Sequence, residues 1–224
     1  MESHVLSTNC KKIHIILILF LSVSSVFAQG MKFGIHFDPT IVWLQSDVKN
    51  VTPFGSHIGF NFGLLADYYF AENYAFATGV SLFNTGGKLK YEDGISLEGK
   101  RGTEVINPGE SVMYRIQYVK IPLALKFKTH RIGRVVYSAN LGFDPMIRAT
   151  GRIDHNNNVK IDVKDEIKPF NAGWHFGGGI SYSLGGETAI FFGLSYMNTF
   201  GNMVESEDYT ITSRNLSLNI VLMF

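Results

Sequence analysis

Apolar side chains recur at every second position through most of this chain. Toward the carboxyl end, Leu216, Leu218, Ile220, Leu222 and Phe224 alternate with Asn215, Ser217, Asn219, Val221 and Met223. A period of two marks an extended strand, because successive side chains of a strand point to opposite faces. One face of this segment is therefore wholly apolar and the other mixed. The same pattern is found upstream. Phe33, Ile35, Phe37, Ile41 and Trp43 alternate with Gly34, His36, Asp38 and Thr40. Ile58, Phe60, Phe62, Leu64 and Tyr68 alternate with His57, Gly59, Asn61, Gly63 and Asp67, and Tyr74, Phe76, Val80 and Leu82 with Ala75, Ala77, Gly79 and Ser81. Segments 135–144, 170–182 and 190–196 repeat the arrangement, with Ser138, Asn140, Gly142, Asp144, Gly173, His175, Gly177 and Gly193 on the smaller face. The remaining strand, 114–127, is less regular. Tyr114, Ile116 and Tyr118 share one face; Val119, Ile121, Leu123, Leu125 and Phe127 then take over in the opposite phase. A bulge near Tyr118 would reconcile the halves, and Pro122 removes one ladder donor. The count is eight strands.

The connections alternate in length. Those at 46–56, 92–111 and 149–168 are long and 201–207 is intermediate, whereas 70–73, 129–134 and 185–188 are short. Short turns at one rim and long loops at the other predict an all-β fold, an eight-stranded antiparallel up-and-down transmembrane β-barrel. Lipid offers no hydrogen bonds to an open sheet edge, so a sheet that spans a bilayer must close. A water-soluble barrel would alternate in the same way but bury its apolar face. The small, glycine-rich second face suits a narrow filled interior better than a wetted surface. Aromatic residues favour the two rims: Tyr68, Phe70, Tyr74, Phe127, Tyr137, Tyr182 and Phe224 toward the short turns, and Trp43, Tyr114, Phe170, Trp174 and Tyr196 toward the long loops. Such girdles suit membrane interfaces.

The amino-terminal segment fits this solvent. Lys11 and Lys12 precede an apolar run from Ile13 to Phe27, followed by Ala28. This reads as a secretory signal peptide cut after Ala28, too short and wrongly flanked to be a spanning helix. The expected plan is a leader over 1–28 and a barrel domain over 29–224, located in the bacterial outer membrane. Cys10, the single cysteine, would leave with the leader, so the mature chain relies on no disulfide. The formal net charge of +1 gives no electrostatic reason to expect nucleic acid as a partner.

Specific stretches add a family likeness. Tyr118-Val119-Lys120-Ile121-Pro122-Leu123-Ala124-Leu125-Lys126-Phe127 resembles a Tyr-x-x-Ile-Pro-Leu-x-x-Lys stretch of the PorT-like outer-membrane barrels of the Bacteroidetes. Phe176-Gly177-Gly178-Gly179-Ile180, the Arg214-Asn215 step and the final Phe224 are similar to the same family. The closing strand, with Leu216, Leu218, Ile220, Leu222 and Phe224, also resembles the terminal assembly signal of outer-membrane barrels. The resemblance implies an eight-stranded outer-membrane barrel that meets lipid and the barrel-assembly machinery. It also implies a link to another envelope or secretion protein, since the named member is an accessory of a protein secretion and gliding system.

An eight-stranded barrel is just wide enough for side chains to fill it, which disfavours a wide pore. The inward set is expected to include His36, Asp38, His57, Asp67, Arg115, Asp144 and His175. In a low-dielectric interior such charges need partners, and Arg115 with Lys120 are expected to pair with Asp38, Asp67 or Asp144 as an interior polar plug. His36, His57 and His175 are candidate bases, and Ser181 and Ser195 candidate nucleophiles, but no spacing motif ties them together. Asp154-His155-Asn156-Asn157-Asn158 superficially resembles the start of a calcium loop, yet Val159 stands where glycine is required. No cofactor or metal motif appears. The expected function is non-enzymatic: a structural or accessory envelope component acting through its outward loops. A narrow small-solute or ion channel is the alternative, and a lipid-modifying enzyme the third reading.

Overall fold

The computed structural model of the chain describes residues 30–99, 102–155, 158–206 and 209–224; the leader expected over 1–28 lies outside them. Among the described residues the strands are β1 (Met31–Ser46), β2 (Val51–Pro53), β3 (His57–Ala71), β4 (Tyr74–Tyr91), β5 (Ile95–Gly99), β6 (Gly102–Ile106), β7 (Ser111–Lys120), β8 (Leu123–Lys128), β9 (Val135–His155), β10 (Asn158–Asp162), β11 (Phe170–Gly185), β12 (Thr188–Thr199) and β13 (Ile211–Met223). The wall runs β1, β3, β4, then β7 continued by β8, then β9, β11, β12 and β13, and β13 pairs back on β1. That is an eight-membered closed ring. Closure continues to the rim, where the Phe33 and Phe224 backbones exchange hydrogen bonds of 3.0 and 2.9 Å. The predicted fold is the observed one. Small strands decorate the long-loop side: β2 pairs with β4, β10 with β9, and β5 with β6 as a separate hairpin.

Side-chain direction follows the period of two, but the apolar face changes side along the barrel's height. In the short-turn part it is the outer face. Phe37, Leu64, Phe76, Leu141, Leu194 and Leu218 all stand outside, Leu64 being 61% exposed. A continuous belt of this kind far exceeds the few hundred Å² of apolar patch a water-soluble surface tolerates, and it identifies lipid as the surrounding solvent. Toward the long loops the large apolar residues turn inward. On β4 the inner series Ala75, Ala77, Gly79, Ser81 gives way to Phe83, Leu89 and Tyr91, while Lys88 and Lys90 face out. On β1 the inner residues His36, Asp38 and Thr40 are followed by Val42 and Leu44.

This inversion corrects the reading of the irregular strand. Tyr114, Ile116, Tyr118 and Ala124 all point inward, and Leu123, Leu125 and Phe127 outward, with the β4 register unbroken. The phase of the strand never changes; only the side carrying the apolar residues does. The bulge exists, but its extra residue belongs to the partner. Gln117 faces Thr150 and Tyr118 faces Arg148, so Ala149 on β9 is unmatched. Past it, β9 reverses its faces, which turns Ile153 inward and Arg152 outward. Tyr114 is accordingly no rim aromatic: it is buried and its hydroxyl meets that of Tyr91 at 2.7 Å.

The interior is layered. A small apolar floor, Phe191, Val221 and Met223 with Leu65 and Ala189, lies toward the short turns. Charged residues come next. A layer of hydroxyls and amides follows, in which Thr40 meets Ser217 at 2.7 Å, Asn61 donates to Thr40 at 2.9 Å and Thr85 meets Ser213 at 2.6 Å. Above it lies an apolar cap of 19 buried side chains, among them Leu44, Leu89, Leu97, Ile106, Tyr114, Ile153, Ile167 and Met203. The long loops thus fold over the mouth and extend the core beyond the barrel.

Candidate functional site in the barrel lumen

The charged layer is built by short-range geometry across neighbouring strands. His36 and Asp38 are two residues apart on β1, so both face inward, and His36 Nδ1 lies 2.6 Å from Asp38 Oδ2. A carboxylate only accepts, so Nδ1 carries the proton and donates. In the neutral ring the other nitrogen, Nε2, is then the acceptor, and the Ser81 hydroxyl on β4 donates to it at 2.9 Å. The ring reaches β4 by crossing β3 at Gly63. A Cβ on Gly63 would lie 2.8 Å from His36 Nε2 and 2.6 Å from Ser81 Cα. Glycine is required here by close approach, not by backbone angle.

A second dyad sits on the far wall. His175 Nδ1 of β11 is 2.7 Å from Asp144 Oδ2 of β9, and its ring lies over Gly142, where a Cβ would come within 2.6 Å of His175 Cε1. Lys126 of β8 pairs with Asp67 of β3 at 2.5 Å, with both side chains largely buried. These groups enclose a cavity of about 110 Å³, lined among others by His36, Asp38, Asp67, Ser81, Lys120 and Lys126. Lys120 stands 5.0 Å over the Phe83 ring. Asp38 Oδ1 and Asn140 Oδ1, both on cavity-lining residues, have no hydrogen-bond partner among the described residues. Lys126 and Met223 also line a smaller recess of about 90 Å³ at the short-turn rim, with Lys32, Lys128 and Arg131. Lys126 and Met223 thus stand between the chamber and this recess, and the apolar cap roofs the chamber.

Among the residues expected in the interior, His36, Asp38, Asp67, Asp144 and His175 lie in the charged layer. Two do not. Arg115 points outward, exposed, because its neighbours Tyr114 and Ile116 are drawn into the cap; it pairs with Asp154 at 2.5 Å. His57 is half-buried at the long-loop end of β3, with Arg115 and Asp154 as its electrostatic neighbours. The expected pairing of Arg115 with interior aspartates is thus replaced by two His–Asp dyads and Lys126–Asp67. Ser181 and Ser195 make no hydrogen bond to a histidine among the described residues; the serine that does is Ser81, which the sequence pattern placed on the small inner face without distinguishing it. The start of the calcium-like loop is spoken for: Asp154 pairs with Arg115, and His155 lies 2.8 Å from Glu104 and 3.1 Å from Glu110. Of the carboxyl-terminal pattern, Leu216, Leu218, Leu222 and Phe224 are exposed outward and Ile220 is half-exposed.

A closed eight-stranded wall, an apolar outer belt and a polar filled lumen define a small integral barrel of the outer membrane. The chain belongs to the outer membrane protein beta-barrel domain family, whose sequence profile matches residues 24–205. The curated proteins contain no match. Among solved structures it is similar to Neisserial surface protein A (13% identity, 86% of this chain and 97% of that one, TM-score 0.48). It is also similar to OprG of Pseudomonas aeruginosa (11% identity, 87% and 96%, TM-score 0.47) and to Ail of Yersinia pestis (12% identity, 87% and 99%, TM-score 0.41).

Proposed function

We propose that this protein is a non-conducting accessory component of the outer membrane, of the PorT-like branch suggested by its Ile121-Pro122-Leu123 stretch, working by contact through its loop-side cap and not by catalysis there. The observation that carries this reading is the cap itself. Nineteen buried apolar side chains roof the lumen, and water and ions do not cross a packed apolar plug of that depth. Loops used only to flank a pore would not need a core. A rigid, ordered platform on a barrel is the arrangement in which binding surfaces are commonly carried. The cap is cross-braced by His155 between Glu104 and Glu110 and by Glu98 N–H donating to Glu166 at 2.8 Å.

Planar-bilayer recording of the folded protein tests the first half: no steady channel steps are expected, and steady large conductance would overturn it. The contact role is tested in a strain whose hairpin over 95–106 is exchanged for a flexible linker. Loss of the deletion strain's complementation, with the barrel still assembled, is expected; full complementation would refute the role.

A further inference from the structure

We infer that Ser81 is an activated nucleophile, held by an Asp38–His36–Ser81 relay inside the lumen and facing a chamber that takes small acyl or phosphoryl electrophiles. This goes beyond the contact role of the cap and does not depend on it.

The argument rests on geometry. A serine is reactive when a base accepts its proton and a third group orients that base. Here the hydroxyl donates to Nε2 at 2.9 Å, and the opposite nitrogen donates to Asp38 at 2.6 Å. The carboxylate fixes the tautomer in which Nε2 is the acceptor. A purely structural polar filler needs only satisfied bonds, yet Asp38 Oδ1 is left without a partner among the described residues. Its full charge is therefore directed at the ring and would stabilise the imidazolium that forms when the proton moves. Gly63 supports the same reading, since the ring reaches Ser81 only because β3 carries no side chain at that point. The His175–Asp144 dyad is the internal contrast: Asp144 Oδ1 is equally unpartnered, but among the described residues no serine is hydrogen-bonded to the second ring nitrogen, so it is a base without a nucleophile.

Ser81, His36 and Asp38 line the 110 Å³ cavity, and Lys120 and Lys126 line it too. Ammonium groups in a low-dielectric chamber favour a developing oxyanion. A volume of this size admits a group of a few heavy atoms, which sets the class as short-chain acyl esters and small phosphoryl compounds. Long acyl chains are excluded. Lys126 and Met223 form the wall between the chamber and the short-turn recess.

With an acetyl ester, the Ser81 Oγ–carbon bond forms as the hydroxyl proton passes to His36 Nε2. The ester C–O bond then breaks, and the leaving alkoxide takes that proton. Water attacks the acyl-serine, gives a proton to Nε2 and restores Ser81 as acetate departs. With methanesulfonyl fluoride, the Oγ–sulfur bond forms as the hydroxyl proton passes to His36 Nε2, fluoride leaves, and the adduct stops there.

The test uses the full folded barrel in detergent, with folding followed by its mobility on gels without heating. Methanesulfonyl fluoride, small enough for the chamber, is expected to add one methanesulfonyl group, mapped to Ser81 by peptide mass. Labelling should vanish in Ser81→Ala and fall at least tenfold in Asp38→Asn. It should persist in Ser213→Ala, a buried serine bonded to Thr85 outside the chamber. Turnover of methyl acetate, followed by acid release, should follow the same order. If the folded wild type takes no label at Ser81, or if Ser81→Ala labels equally, the inference is overturned. Equal labelling of folded Asp38→Asn and wild type would likewise refute the relay.

Discussion

At the scale of single residues, this barrel is tuned by what is missing as much as by what is present. Gly63 lets His36 span from β1 to β4, and a methyl there would also sit 2.3 Å from the Val80 carbonyl oxygen. Overpacking of this kind costs about 1–3 kcal/mol. Gly63→Ala is therefore expected to lower the denaturant midpoint of the folded barrel and to abolish Ser81 labelling even in molecules that still fold. An unchanged midpoint would show that β3 shifts freely. Outside the membrane, Asp47 accepts the backbone N–H of Thr210 at 2.7 Å, and this bond holds its carboxyl below the usual carboxylate range. A depressed folded pKa adds stability above the ordinary carboxylate value and loses it as pH falls through the folded value. The pin between the first and last long loops should thus hold at neutral pH and release only in acid. Hydrogen exchange at the Thr210 amide reads this directly: protection should drop in acid in the wild type, be low at all pH in Asp47→Ala, and lose its acid step in Asp47→Asn. The relay itself was not readable from the chain. His36, Asp38 and Ser81 were all on the small face by period alone, but only the register of three strands brings His36 over Gly63 to Ser81.

At the scale of elements, strand boundaries and phase are set by alternation, and alternation is a local property that a sequence displays openly. What it does not display is the solvent on each side. The apolar residues take the outward parity low in the wall and the inward parity high in it, so Tyr114, Ile116 and Tyr118 look like a phase error when they are the inner lining of the cap. Arg115 lies outside for the same reason, between the inward Tyr114 and Ile116. The bulge at Ala149 shows how the chain manages the change on β9, where one extra residue converts the lower parity into the upper. Removing Ala149 should swing Ile153 out and Arg152 into the apolar cap. An unpaired buried charge costs several kcal/mol, enough to undo the cap while leaving the lower ladders paired. Deletion of Ala149 should therefore leave the gel mobility of a folded barrel but remove the hydrogen-exchange protection of the amides of segment 102–106. Unchanged protection of that segment would show that β9 re-registers without cost.

At the scale of the whole molecule, two solvents meet one continuous sheet. Lipid takes the lower outer face, and the cap gives the upper strands an interior of their own. An eight-stranded wall has room only for side chains, so the question of conduction is decided by what fills it. The hydroxyl and charged layers are polar and border a cavity, whereas the cap is not. The cap should therefore be the seal. The β5–β6 hairpin supplies Leu97 and Ile106 to it, with Ile95 packed alongside. Exchanging 95–106 for a short flexible linker would leave Leu89 and Val112 facing water and open a route from the loop side to the lumen. Because the bore stays that of eight strands, the expected result is a set of small, steady conductance steps where the wild type shows none, far below those of a large porin. A variant as silent as the wild type would place the barrier in the polar layers, where paired charges such as Lys126–Asp67 and His36–Asp38 would then have to hold the lumen shut unaided.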